Sequence, residues 1–253
     1  MARRRNRRRF SPAKAVAGLL GFAALLGAVY VLLINYVFVV REVGVQMPQD
    51  CRFTAQQVAQ VSGVKLGTRL DRIDEAEIAQ NVLNSGWLCL EGVEVIYPDR
   101  LQITVSQRRP AALVSHVSTL LVTDSDGIMI EQVSGDPGYP GCVYITDIDI
   151  RRAHPGQRLQ AADNTKIDAM VMLLKGLEEV PCQDLISWAS VAQSRAMRLY
   201  SGNHVYVELG DGSRMPDKLR LMEAALTDMI HRGESLGTLN VSSGIYADYA
   251  PQN

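Results

Sequence analysis

The stretch between Lys14 and Arg41 constrains this chain more than any other. It holds no ionisable group except Tyr30 and Tyr36, and Ala15 to Ile34 is apolar but for Tyr30. About 20 helical residues cross the ~30 Å of bilayer hydrocarbon, and a helix satisfies its own backbone where lipid offers no partner. Arg3, Arg4, Arg5, Arg7, Arg8, Arg9 and Lys14 precede the run, and no acidic residue comes before Glu42. That asymmetry holds the amino end in the cytoplasm and sends everything after Arg41 outside. A cleaved signal peptide shares the basic start, but its apolar core is about 7–15 residues and an A-x-A-like site follows it. Here the run is longer, and Tyr36-Val-Phe-Val-Val40 follows instead, which suits an aromatic anchor at the interface. A helix apolar on every face can also be a buried core helix, which the arginines argue against. The expectation is a basic cytoplasmic tip at 1–14, a transmembrane helix within 15–40, and a single-pass protein of the cell membrane. The arginines set orientation and meet anionic lipid headgroups.

The chain as a whole carries a net charge of −1, so with the seven tip cations set aside the rest is acidic by about eight charges. An acidic exterior argues against nucleic-acid binding, which needs a basic patch. Residues 41–253 suffice for two small domains with cores of their own. Cys51, Cys89, Cys142 and Cys182 are scattered, and no C-x-x-C occurs, so neither a zinc site nor a thioredoxin-like pair is expected. Outside the membrane they can pair as Cys51–Cys89 and Cys142–Cys182, one bridge per domain. Four cysteines allow three connectivities, however, and free buried thiols are the default.

In the exterior, Val43, Val45 and Met47 alternate with polar or small residues as in a strand, and Pro48 ends it. Thr54-Ala-Gln-Gln57 is a capping box that opens a short helix, stopped at Gly63. A second helix starts at Asp74, turns Ile78, Val82 and Leu83 inward and stops at Gly86. Two strands follow, Gly92 to Tyr97 and Leu101 to Ser106, with Pro98-Asp99 suited to the centre of a type I turn. The order β-α-α-β-β lets two helices cover one face of a three-stranded sheet, a complete small domain at 41–110.

A single-pass anchor, this module directly after it, and Val93-Glu-Val-Ile-Tyr-Pro-Asp-Arg-Leu-Gln-Ile-Thr-Val-Ser-Gln-Arg-Arg-Pro-Ala-Ala-Leu113 together resemble the FtsQ/DivIB family of bacterial cell-division proteins. The match is to that family's POTRA domain and to the hinge after it, where Gln107-Arg108-Arg109-Pro110 stands for the usual Glu-Arg-x-Pro. Leu66-Gly67 between the helices fits too. Physically, Pro110 fixes φ and removes a donor just after a strand, so Arg109 and Pro110 can set an interdomain angle.

From Ala111 the chain turns β-rich, and 111–253 is read as a second, β-rich domain with two helices. Asp124-Ser-Asp-Gly127 joins two strands as a hairpin turn rather than a calcium loop, since Gly135 stands where the twelfth-position Glu belongs. Val143 to Ile148 reads as a strand. A helix at about Asn164–Val180 buries Ile167, Met170, Leu174 and Leu177. A meander of three strands follows at 185–191, 196–200 and 205–209. Pro216 suits the first position of a helix to about His231, and Leu236–Val241 and Gly244–Tyr249 read as last strands. The fold class is therefore α+β throughout.

Reactive constellations are missing from the sequence. His116, His154, His204 and His231 are isolated, and no H-E-x-x-H, G-x-S-x-G or G-x-x-x-x-G-K occurs. Cys142 and Cys182 lack the cationic surroundings a thiolate nucleophile needs. Asp147 and Asp149 fall on one strand face, where solvated carboxylates are commoner than an acid–base pair. No enzyme, cofactor, metal or small-molecule substrate is expected.

Such a chain acts through surfaces. An outer strand has unpaired N–H and C=O groups that accept a partner's strand. The stretch Ser243-Gly-Ile-Tyr-Ala-Asp-Tyr249 places Tyr246 near Tyr249, side chains of a kind common at interfaces. It also reads as an ordinary closing core strand. The resemblance implies that this strand, with the helix bearing Lys218 and Arg220, receives a membrane-proximal segment of an FtsB/DivIC-like partner in complex with an FtsL-like one. Ser243, Gly244, Tyr246 and Tyr249 are then the binding residues, with Tyr249 where the family often has tryptophan. It also implies a divisome scaffold that supports septal peptidoglycan synthesis. The alternative is a POTRA-bearing secretion or assembly factor, which normally carries tandem copies or a barrel; only one copy and no barrel-like alternation appear here.

Overall fold

The computed structural model describes residues 12–252 apart from 136 and 137. The basic tip expected at 1–14 lies outside the described residues as far as residue 11. The fold is α+β, with one long apolar helix ahead of a large β-rich part. Helix α1 spans Pro12–Leu32 and continues as a π-helical turn over Leu33–Val37. Among the described residues it is the one helix long and apolar enough to cross a membrane, with a mean hydropathy of 2.1 over Leu19–Val37. No part of that span is buried in the protein.

The first domain has the expected order. Strand β1 (Glu42–Gln46) leads to α2 (Ala55–Val61) and α3 (Glu75–Asn84), then β2 (Leu88–Ile96) and β3 (Arg100–Gln107). Local chemistry sets the helix starts. Thr54 and Gln57 close a reciprocal capping box, and the Asp74 carboxylate accepts from the amides of Ala76 and Glu77. The sheet order is β1-β3-β2, with β1 parallel to the central β3 and β2 antiparallel. Leu101, Ile103 and Val105 of β3 pack with Val58, Ile78 and Val82 of the helices. Two details differ from the sequence reading. Strand β2 begins four residues earlier than expected, because Gly92 marks a bulge inside the strand and not its start. The connection to β3 runs over three residues, 97–99, since Ile96 pairs with Arg100, and the Tyr97–Pro98 peptide in it is cis.

The second domain is built on a nine-stranded sheet. Its strands are β4 (Ala112–His116), β5 (Thr119–Thr123), β6 (Met129–Val133), β7 (Val143–Thr146), β10 (Ile186–Ser190), β11 (Met197–Ser201), β12 (Val205–Gly210), β13 (Gly237–Asn240) and β14 (Asp248–Pro251). A small side ribbon pairs β8 (Ile150–Arg152) with β9 (Gln160–Ala161). Spatial order is β14-β13-β12-β11-β10-β7-β4-β5-β6. Helices α4 (Asn164–Glu179) and α5 (Met215–Arg232) cover one face, burying Met170, Leu173, Leu219, Met222 and Leu226 against Val114, Ile145, Leu199 and Val207. Pro216 takes the second helical position of α5, not the first. Asp147 lies past the end of β7 with φ +68°, and its carboxylate accepts from Ser190 and Thr146. It does not share a strand face with Asp149.

The opposite face is covered at one end by the first domain. Trp87 and Phe53 pack with Leu113, Val122, Ile130 and Tyr139 in a shared apolar cluster. The Trp87 indole N–H donates to Glu131 (3.2 Å), and the Arg52 guanidinium lies 4.1 Å from the Trp87 ring centre. The backbones meet without intervening side chains: a Cβ on Gly86 would drive into the Ile130 carbonyl, and one on Gly156 into that of Leu83. Beside them, Arg108 Nη1 donates to Asp124 Oδ2 at 2.7 Å, with the two side chains 9% and 10% exposed. Arg109 and Pro110 line the adjoining cleft of about 520 Å³ together with Arg108 and Asp124. They connect two domains that pack on each other through the Trp87 cluster.

All four cysteines are free thiols, so neither Cys51–Cys89 nor Cys142–Cys182 is formed. The alternation of the sheets explains this. Cys51 packs against the helix-side core of the first domain, whereas Cys89, paired with Ser106, faces the other way. Cys182 belongs to the helix-side core of the second domain, and Cys142 packs in the interdomain cluster on the opposite face. Burial pushes both the Cys142 and Cys182 thiols up to about 11.

Candidate functional site

The C-terminal segment is where sequence and structure part most clearly. A strand was expected over Gly244–Tyr249, but residues 242–245 form a turn, and β14 covers only Asp248–Pro251. Serine and glycine chemistry makes the turn. The Ser243 hydroxyl accepts from the amides of Ile245 (3.2 Å) and Tyr246 (3.3 Å), and Gly244 sits at φ +64°. The turn leaves Ile245 and Tyr246 exposed at 70% and 65%. Sequence reasoning missed Ile245, although its place in a Ser-Gly turn was the available signal.

Strand β14 pairs antiparallel with β13, Tyr249 opposite Leu239 and Ala250 opposite Thr238. It closes the sheet, and among the described residues no strand lies on its outer side. Tyr249 is half-buried against the helix-side core. Its ring covers Gly237, where a Cβ would stand 2.5 Å from the ring edge, and its hydroxyl donates to Leu236 O at 3.2 Å. Tyr249 thus holds the edge strand in place, while Tyr246 projects from the turn before it. Pro251 lacks a donor, which leaves Asp248 to Ala250 as the stretch able to extend a ladder.

Helix α5 supports the turn from below. Arg214 Nη2 donates to Gly244 O at 3.0 Å, and the Lys218 methylenes lie beneath Gly244. Lys218 is not a surface residue: it is 1% exposed, with its ammonium on Asp211 O (2.8 Å) and Asp211 Oδ1 (3.0 Å). Its position explains this, since Met215, Lys218, Met222, Leu226 and Met229 form one helical stripe, all buried. The Asp211 carboxyl is held down to about 2, first by the Ser213 hydroxyl and next by Lys218. Arg220 stands exposed on the same helix and shares Asp217 with Arg214. The structure therefore brings Ser243, Gly244 and Tyr246 into one turn, puts Tyr249 on the adjoining edge, and turns Lys218 inward as a support. Among the described residues, no three His, Cys, Asp or Glu side chains group closely enough to hold a metal ion.

The chain is similar to the cell division protein FtsQ of Corynebacterium glutamicum. The two are 24% identical over 114 residues, 45% of this chain and 51% of that protein. The chain thus matches about half the length of this curated relative. No family model matches the chain.

Proposed function

We propose that this chain is a membrane-anchored, non-enzymatic scaffold of the bacterial divisome. In this reading α1 crosses the cell membrane with the amino end in the cytoplasm, and both domains stand outside. The POTRA-like first domain positions the second one. The edge of β14 receives a short extended segment from an FtsB/DivIC-like bitopic protein, itself paired with an FtsL-like coiled coil, and the assembly supports septal peptidoglycan synthesis. Strand addition supplies affinity through main-chain bonds, with side-chain contacts giving selectivity. One observation carries the reading: β14 ends the nine-stranded sheet, with a partner-free outer side among the described residues. The similarity to FtsQ supports the setting in cell division. Tyr246 and Ile245 form the exposed contact beside that edge, Arg220 stands exposed on the helix that supports the turn, and Tyr249 and Lys218 position it.

The test is capture of purified FtsB/DivIC- and FtsL-like proteins by the full chain in detergent. Tyr249→Pro removes the main-chain donor that faces away from β13, since Gln252 N donates to Leu236 O and the same register turns the amides of Ala250 and Asp248 inward. It is expected to reduce binding at least tenfold, about the effect of 1.4 kcal/mol. Tyr246→Ala should weaken it by a similar factor. Binding unchanged in both variants would remove the edge from the proposal.

A further inference from the structure

The chain that leaves the apolar helix is not a loose tether. Residues 38–41 are hydrogen-bonded through the main chain to two loops of the first domain. Val40 N donates to Thr68 O (2.8 Å), Gly67 N to Val40 O (2.8 Å), Leu70 N to Phe38 O (3.1 Å) and Arg41 N to Asp99 O (2.8 Å). Side chains add to this. The rings of Phe38 and Tyr97 meet edge-to-face at 5.7 Å, and Arg69 reaches back to Asn35 Oδ1 at 3.4 Å. The loop 64–70 and the β2–β3 tip at 96–100 are therefore fastened at the level of residues 35–41.

That level has a meaning if the helix crosses a bilayer. About 20 residues fill the hydrocarbon, so a run starting at Ala15 exhausts it near Ile34, and Asn35 to Arg41 lie in the headgroup layer. At this height the first domain presents Leu66, Ile96 and Tyr97, which are 68%, 40% and 70% exposed. Among the described residues nothing else covers them. Segments 41–42, 65–72 and 96–100 carry five cations and three carboxylates, whereas the exterior as a whole is strongly acidic. Exposed aliphatic and aromatic side chains ringed by lysine and arginine are what the membrane interface selects.

We infer that the first domain rests on the outer leaflet, with Leu66, Ile96 and Tyr97 set into the boundary between headgroups and acyl chains. Anionic phospholipid is the occupant of this surface, since the surface is continuous with the anchor and its excess charge is positive. The second domain is then carried at a fixed height and orientation. This inference depends on α1 being a membrane anchor.

The experiment reconstitutes the full chain in nanodiscs that contain anionic phospholipid and lipids brominated near the headgroup end of the acyl chain. Tryptophan is placed singly by Tyr97→Trp, Leu66→Trp, Val29→Trp and, on the exposed side of β12 in the second domain, Tyr206→Trp, and the emission of native Trp87 and Trp188 is subtracted. Quenching at positions 97 and 66 is expected to reach about half of that at position 29 or more, as for interfacial aromatic residues, with none at position 206. If position 29 is quenched while 97 and 66 behave like 206, the docking is wrong and the anchor stands. An unquenched tryptophan at position 29 would overturn the anchor, and the docking with it.

Discussion

Asp124→Ala is the sharpest probe of how the two domains are joined. Its carboxylate meets Arg108 at 2.7 Å, with both side chains about nine-tenths buried, and its other oxygen accepts from the amides of Asp126 (3.1 Å) and Ile128 (2.8 Å). Arg108 follows the last strand of the first domain and Asp124 opens the β5–β6 turn of the second, so removing one partner strands a buried cation at the joint. Breaking a buried pair in this way costs about 3–5 kcal/mol. For a unit of this size each kcal/mol lowers Tm by about 2–4 °C, which gives a fall of roughly 6–20 °C. Asp124→Asn keeps an acceptor for both amides and loses only the charge, so its cost should be smaller. The assay is thermal and urea unfolding of the full chain in detergent, followed by Trp87 fluorescence at the joint and by circular dichroism. Combining Asp124→Ala with Arg108→Met completes a double-mutant cycle, for which a coupling near 2 kcal/mol is expected. The double variant should also be less destabilised than the two single costs added together. A coupling below ~0.5 kcal/mol, or a wild-type Tm in Asp124→Ala, would refute the view that this ion pair fixes the domains.

Two further outcomes follow from the titrating groups. Burial holds the Cys142 and Cys182 thiols at about 11, so both should resist alkylation at pH 8 in the native protein and react fully in denaturant; rapid native labelling of either would contradict the packing described. The Asp211 carboxyl is held down to about 2 from its ordinary 3.8. A lowered value means that the stability it contributes is present above 3.8 and is lost as pH falls from there towards 2. Asp211 is 55% exposed, so solvent screening makes the effect modest. Urea unfolding at pH 4.5 and 2.5 should show a smaller acid loss in Asp211→Asn than in the wild type, and equal losses would show that Asp211 takes no part.

Elements written in local chemistry were legible in the sequence. The apolar run, the Thr54–Gln57 box, the Asp74 cap and the period of α4 and α5 each depend on residues a few positions apart, and each stands where it was expected. The short β14 was not found at its true bounds, because Ser243 and Gly244 were read as strand although both favour a turn. The resemblance implied a binding role for Lys218, while its spacing from Met215 and Met222 put it on the buried stripe. The Arg108–Asp124 pair carried no local signal. Asp124 read as a turn residue, and only the meeting of the two domains reveals that its second oxygen serves Arg108. The same holds for Gly86 and Gly156, whose lack of a side chain matters because another backbone passes there.

The glycine-to-backbone contacts at the joint have a mechanical consequence. A body fastened at one end and stiff along its length works as a ruler rather than a leash. If β14 receives a partner strand as proposed, an incoming polypeptide could not search a broad volume for it and would have to deliver its strand at one elevation above its own membrane exit. The spacing between that exit and the docking stretch would then be under tight geometric selection in any ligand of this protein, and inserting or deleting residues there should matter more than changing their chemistry.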